Sequence, residues 1–309
     1  TSRSRAGLRA SDICCYMFTS GTTGLPKAAM ITHSKWLSAG ARWICSAGID
    51  RDDVFYGVLP LFHGAALMSM FSAVLAVGGS AVLRRRFSAS RFWEDVAEHR
   101  ITVFQYVGEI CRYLVNTPAV SGEKEHTLEV LLGAGMGIDV WTQFVARFGD
   151  QIRIYEGYGS TESNCSLINL DNKPGSCGRI PYWDRTFIRH VKYDIEAQDH
   201  ARSANGFLIQ AKPGETGELL IRGPNVLPGY WNRPEDTAAA LGEHWYGAGR
   251  HLSTFFYVYL GSGLGGGKGV IIAMTDEEAL AAVDCPDLAS YHLFDDPEDP
   301  SENSNGGIA

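Results

Sequence analysis

An α/β fold built on a mostly parallel sheet is what this sequence predicts, and three observations predict it. Short apolar runs alternate with helical stretches from residue 12 to about residue 206. The 309 residues, 45% apolar and 20% charged, have the balance of a globular protein with a sizeable core, in one large or two ordinary domains. Between residues 206 and 223 the alternation gives way to strand, turn and strand, which adds a β-rich subdomain.

Taken in order, strands are expected at residues 14–19, 81–83, 103–106, 128–132 and 152–155, and helices at 33–47, 88–99, 110–115 and 139–148. The uncharged run 64–83 approaches the ~20 residues that a bilayer crossing requires. Gly78 and Gly79 interrupt it, and a buried helix to about Val77, a glycine turn and a strand at 80–83 account for the same residues, so no transmembrane span is expected. Further on, a short strand after Gly206 leads to a turn at 212–217, built on Pro213 and Gly214, and to a second strand at 218–222. An aromatic strand at 255–260 precedes the glycine run 261–269. From about residue 284 a segment rich in Pro, Asp, Glu, Ser and Asn is expected to be disordered. The domain reading is therefore 1–206 for a core, 207–246 for the β-rich part and 247–309 for an atypical tail.

The net charge of −8 is unevenly placed: ten of the 35 acids lie from Asp276 onward, which leaves the body near +2, with 27 basic against 25 acidic residues. An acidic total gives no support to nucleic-acid binding, and a mildly basic body suits an anionic ligand. None of the seven cysteines sits in a two-residue-spaced pair that would make half a zinc site, so reduced thiols are expected. The chain opens on Thr1, with no basic start followed by an apolar run and a cleavage site. That reads as a cytoplasmic protein or one on the cytosolic face of a membrane.

The sharpest feature is TSGTTGLPK, comprising Thr19, Ser20, Gly21, Thr22, Thr23, Gly24, Leu25, Pro26 and Lys27, read as following an apolar strand and preceding a helix. Glycines let backbone approach phosphate closely, hydroxyls and amides donate to its oxygens, and a lysine supplies charge. The glycine spacing and Pro26 before Lys27 exclude a Walker loop. This loop resembles the signature of the adenylate-forming enzymes, the superfamily of acyl-CoA ligases, luciferases and peptide-synthetase adenylation domains. The resemblance implies that Thr19, Ser20, Gly21, Thr22, Thr23, Gly24 and Lys27 hold the β and γ phosphates of ATP.

YGSTES, residues 158–163, is a second match. By itself a Tyr-Gly-x-Thr-Glu turn is an exposed loop in most proteins. Downstream of the first motif, the resemblance implies that Tyr158 and Gly159 lie at the adenine, Thr161 donates to the α-phosphate and Glu162 holds Mg2+ between the phosphates. A hard cation wants carboxylate and phosphate oxygens. In similar enzymes the Phe62 and His63 of LPLFHGAA flank the carboxylate of the acid substrate, while Gly133, Ala134 and Gly135 lie beside adenine and acyl group. A histidine between apolar stretches is more often a hydrogen-bonded core residue, so the neighbours carry that assignment.

The run 87–118 resembles fatty-acid-transport and very-long-chain acyl-CoA synthetases, and 158–181 agrees with it. The aromatic residues of 87–118 read mostly as core. The resemblance covers roughly residues 12–246 and implies part of an adenylate-forming enzyme's N-terminal domain, with mostly parallel sheets flanked by helices and a β-rich subdomain. It implies a fatty acid-CoA ligase that uses ATP and Mg2+, forms an acyl-adenylate and takes coenzyme A as co-substrate, with peripheral membrane association left open. Relatives continue into an Arg-Thr-Gly-Asp turn whose aspartate holds the ribose, and Arg250 stands at that place here. Guanidinium has only donors and cannot replace the carboxylate. The small C-terminal domain with its lysine is also missing from the pattern, so a family-like rate of acyl-CoA synthesis is not expected of this chain. Residues 255–267 instead resemble a short segment of sugar kinases, without their Asp-x-Gly-x-Thr motif or zinc cluster. The competing readings are a catalytically inactive nucleotide- or acyl-binding remnant and, further off, a sugar kinase.

Overall fold

The computed structural model describes residues 7–19, 26–179, 188–194, 196–197, 199–212, 215–221, 226–241, 257–260 and 271–274. Ser20, Gly21, Thr22, Thr23, Gly24, Pro213, Gly214, Arg250, the glycine run and the acidic tail lie outside them, as does the whole of the unit 276–309 into which the chain also divides.

The chain begins with an antiparallel hairpin, β1 (Ile13–Thr19) and β2 (Lys27–Thr32), in which Thr19 pairs with Lys27. The phosphate-loop motif therefore joins two strands, where strand, loop and helix were expected. Ala29 and Ile31 alternate inward, both fully buried, and this period of two makes 27–32 a strand. Thr32 then caps α1 (His33–Ala47), its hydroxyl accepting the Lys35 amide, and Gly48 ends the helix in the left-handed conformation at φ 68°. The helix has the bounds expected from its spacing.

β3 (Val54–Gly57) leads into a π-helical segment, Ala65–Met70, that runs on as α2 (Phe71–Val77), and Gly78, at φ 73°, turns the chain into β4 (Ser80–Leu83). The uncharged run 64–83 is thus helix, glycine turn and strand, and no helix among the described residues is long and apolar enough to cross a membrane. There follow α3 (Phe92–His99), β5 (Val103–Val107), α4 (Gly108–Asn116), β6 (Val130–Ala134), α5 (Ile138–Phe148) and β7 (Arg153–Ser160). α3 starts four residues later than expected at 88, because 88–91 form a turn closed by the Arg91 amide on Ser88 O.

The parallel sheet runs in the order β4-β3-β5-β6-β7. Its strands alternate between two cores, as burial on both faces requires. Phe104, Tyr106, Leu131 and Ile154 pack with Phe92, Trp141, Phe144 and Phe148 from α3 and α5. Val103, Val130, Leu132 and Tyr155 pack with Trp43, Met70 and Val74 from the α1 and α2 side. The chain moves one way from β3 to β4 and the other way from β3 through β5 to β7. Ligands of open α/β sheets bind at the carboxyl ends of the strands beside such a reversal.

Beyond β7 the sheet turns antiparallel through β8 (Asn164–Ile168), β9 (Ser176–Arg179), β10 (Ile188–Asp194), β11 (Asp199–His200) and β12 (Thr216–Ile221). The expected pairing of a strand after Gly206 with 218–222 is corrected: β12 pairs with β10, and residues 208–211 bond to the other edge of β10, through Ala211 N on His190 O and Lys192 N on Ile209 O. A short helix, α6 (Pro234–Ala240), follows, and β13 (Tyr257–Leu260) and β14 (Ile271–Met274) complete the sheet, with β13 inside the expected aromatic strand.

One buried polar network ties this core together. Asp95 on α3 accepts from the Tyr56 hydroxyl of β3 and from Arg84 Nη2 at 2.5 Å. Burial alone would raise the Asp95 pKa, but hydrogen bonds from Arg84 and Tyr56 outweigh it and hold the carboxyl below its usual range. Glu98 and His99 lie close enough to Asp95 to form a metal-like group, but the Arg84 guanidinium already bonds Asp95 there. Asp95→Ala strands the Tyr56 hydroxyl and should lower stability by ~2–4 kcal/mol in urea unfolding at pH 7. The contribution of the carboxylate is present above the ordinary aspartate pKa and lost as pH falls through the lowered folded value. The gap between wild type and Asp95→Asn should therefore shrink in strong acid, and a gap independent of pH would contradict the pairing.

Candidate functional site

At the carboxyl ends of β5, β6 and β7, and against residues 63–69 of the connection from β3 to β4, lies a cavity of about 300 Å³. Its wall includes His63, Tyr106, Gly133, Ala134, Gly159 and Thr161. Gly133 is required by sterics: a Cβ there would meet the Tyr106 ring at 2.6 Å. A Cβ on Gly108 would meet Gly135 O at 1.9 Å, so the β6–α5 loop lies directly on the start of α4. Gly135 itself has φ 88°, a left-handed conformation that side chains disfavour. Glu156, buried in β7, anchors this wall from behind. It accepts from the Tyr106 hydroxyl at 2.5 Å and, through Oε1, from the Met136 amide at 2.9 Å. Burial raises its pKa, partly offset by these donors and by the Gly135 amide.

Two buried polar atoms of residues lining the cavity, Trp43 Nε1 and Gln105 Oε1, have no hydrogen-bond partner among the described residues. Sequence reading missed both, because a Trp on an apolar helix face and a Gln inside an apolar strand carry no signal of their own. His63 is exposed, and its Nδ1 accepts the Ala65 amide at the start of the helical segment. Phe62 is 78% exposed, and the structure does not bring it to the cavity wall.

The second motif is part strand and part turn. Tyr158, Gly159 and Ser160 belong to β7, and Thr161, Glu162 and Ser163 make the turn into β8, where the Ser163 amide bonds Ser160 Oγ at 3.2 Å. Gly157 and Gly159 face the cavity, whereas Tyr158, with its hydroxyl pKa raised by burial, is not part of the wall. Thr161 reaches the cavity, and a Cβ on Gly64 would sit 3.4 Å from its Oγ1.

The motifs meet through the segment 227–236. Its backbone joins the hairpin, with Met30 N on Gly229 O and Trp231 N on Ala28 O. Lys27 Nζ pairs with Asp236 at 2.6 Å and lies 5.4 Å from the centroid of the Tyr230 ring. The Tyr230 hydroxyl donates to Glu162 Oε1 at 2.8 Å, and the Leu227 amide to Glu162 O at 2.8 Å. Lys35, fully buried on α1, donates its Nζ to the same Glu162 carbonyl at 3.0 Å. Burial pulls its ammonium down to about 7, while the charge of Glu162 pushes the other way. Tyr230, Asp236 and Lys35 were not among the sequence-predicted residues. The half-buried Glu162 carboxylate, oriented by Tyr230, is a hard oxygen donor of the kind that suits a magnesium ion.

Residues 2–231 match the family described as AMP-binding enzyme. The chain is 44% identical over 215 residues to long-chain fatty acid transport protein 2 of Rattus norvegicus, covering 69% of this chain and 34% of that protein. It is 39% identical over 226 residues to the medium/long-chain-fatty-acid–CoA ligase FadD6 of Mycobacterium tuberculosis, covering 73% and 37%. The chain thus spans about a third of the length of the curated relatives it matches. Among solved structures it is similar in fold to the N-terminal domain of FACL13 from Mycobacterium tuberculosis, with a TM-score of 0.63, 23% identity and coverage of 87% of this chain and 61% of that one. ATP-bound MatB from Rhodopseudomonas palustris gives a TM-score of 0.64 at 22% identity, covering 86% and 48%.

Leaving a buried carbonyl unsatisfied is more expensive than replacing it by an apolar group of similar shape. Gln105→Leu should therefore raise stability by ~1 kcal/mol in thermal or urea unfolding. A loss of that size would show that the Gln105 oxygen has a partner.

Proposed function

The chain belongs to the AMP-binding enzyme family, on its fatty-acid-transport and acyl-CoA-ligase branch, and on that premise we propose that it is the nucleotide- and acyl-binding part of an ATP-dependent fatty acid-CoA ligase. The observation that carries this reading is the convergence of Lys27 and Glu162, drawn from two distant motifs, on the one segment 227–236, with Thr161, the neighbour of Glu162, in the wall of the cavity.

In this reading the carboxylate of a fatty acid attacks the α-phosphorus of ATP, an acyl-adenylate forms and pyrophosphate leaves. The thiol of coenzyme A then displaces AMP. The acyl chain enters the cavity walled by Tyr106, Gly133, Ala134 and Gly157. His63, exposed at the same wall, stands where the acid's carboxylate approaches. Thr161 offers its hydroxyl to the α-phosphate. Lys27 exchanges the Asp236 carboxylate for phosphate oxygens, and its charge favours the anionic transition state. Glu162, whose carboxylate accepts the Tyr230 hydroxyl at 2.8 Å, would hold the magnesium ion. When bound, that ion neutralises phosphate charge. Ser20, Gly21, Thr22, Thr23 and Gly24, which lie between Thr19 and Lys27 in the sequence, would hold the β and γ phosphates.

Isothermal calorimetry with ATP and magnesium tests the reading on this chain. Lys27→Ala removes a charge-assisted contact and should weaken binding by ~1.5–3 kcal/mol, with Glu162→Ala weaker than wild type as well. Equal heats for all three proteins, or no heat for any, would sink the proposal.

A further inference from the structure

We propose that Lys35 is a positioning residue that holds the magnesium-binding turn 161–163 in place through its hydrogen bond to the Glu162 carbonyl. The inference rests on the reading of Glu162 as the magnesium-binding carboxylate, and goes beyond it by assigning a role to a residue outside both motifs.

Lys35 is fully buried on the inward stripe of α1 that also carries Ala39 and Trp43. A buried ammonium is expensive, and Lys35 stands in the first turn of a helix, where the backbone dipole already disfavours a cation. Core packing alone would be served better by an apolar side chain of the same length. Satisfying the Glu162 carbonyl does not demand the lysine either, because the Leu227 amide already donates to that oxygen at 2.8 Å. What the lysine adds is a second tether from a different element: its Nζ reaches the same oxygen at 3.0 Å. α1 and the segment 227–236 thereby grip the turn from two directions, and Tyr230 aims the carboxylate at 2.8 Å. With its main chain held twice and its side chain once, Glu162 keeps an orientation that a metal site needs before the ion arrives.

The test uses the full chain with Lys35→Met, Lys35→Gln, Lys35→Arg and Glu162→Gln, reading the melting temperature without ligand and calorimetric affinity for ATP, with magnesium and with EDTA. Lys35→Met should melt at or above wild type, since it removes a buried charge. It should bind magnesium-ATP about tenfold more weakly, with little change in EDTA, and Lys35→Arg should recover most of the loss. A purely structural role would lower stability and both affinities together. Wild-type magnesium-ATP affinity in Lys35→Met, or equal losses with and without magnesium, would overturn the proposal. So would failure of both Lys35→Met and Lys35→Gln to fold. If Glu162→Gln weakens magnesium-ATP binding while Lys35→Met does not, the positioning role alone falls. If Glu162→Gln binds like wild type, the assignment of Glu162 falls and the proposal with it.

Discussion

Two donors on one carbonyl oxygen, the Leu227 amide and Lys35 Nζ on Glu162 O, are the joint on which the site depends. Through them the hairpin β1–β2, helix α1 and the end of β7 meet at one point. Without that joint, Glu162 would sit on an exposed turn between two strands, free to sample orientations of little use to a cation. The Lys27–Asp236 pair and the Tyr230 hydroxyl use the same segment to hold the other polar groups in register. The Lys27–Asp236 pair is half-buried and still open enough to water that its contribution to stability is small. Under the proposed function, its value lies in keeping a lysine extended where the phosphates of a nucleotide would exchange with the aspartate.

The sheet supplies the place and the joint supplies the chemistry. A parallel sheet covered on both faces leaves its carboxyl ends as the accessible concavity, and the reversal of strand order between β4-β3 and β5-β6-β7 separates the loops there. Gly133 in β6 and Gly157 in β7 both line the cavity, and Gly133 lets the Tyr106 ring lie directly against β6. The period-two pattern that builds the two cores therefore ends, at the carboxyl edge, in the glycines that line the cavity.

Much of this was legible in the sequence where one rule acted alone. The spacing and Thr32 cap of α1 gave its bounds, and Gly78 split the uncharged run 64–83 into helix and strand as expected. β2 was illegible because its six residues lie between a glycine-rich loop and a helix start, which made the strand look like a flank of its neighbours. The Gly206 region misled because turn residues predict a hairpin, whereas tertiary pairing to β10 on both edges prevailed. Of the site, Lys27, Thr161 and Glu162 came from motif resemblance. Lys35 had no signal at all, since a lysine in a helix's first turn reads as a solvated residue until the fold buries it. Tyr230 and Asp236 were visible as residues but not as partners, because their role depends on bonds between β2 and residues 229–231.

The central claim is that the metal-nucleotide site lies at Glu162, beside Lys27. Amide NMR spectra recorded while manganese replaces magnesium in the ATP complex test it most directly, because paramagnetic broadening falls off steeply with distance from the ion. The account predicts that the amides of Thr161, Glu162 and Ser163 broaden first, together with those of Lys27 and Leu227. Broadening centred on Asp95, Glu98 and His99, the metal-like group among the described residues, would contradict it.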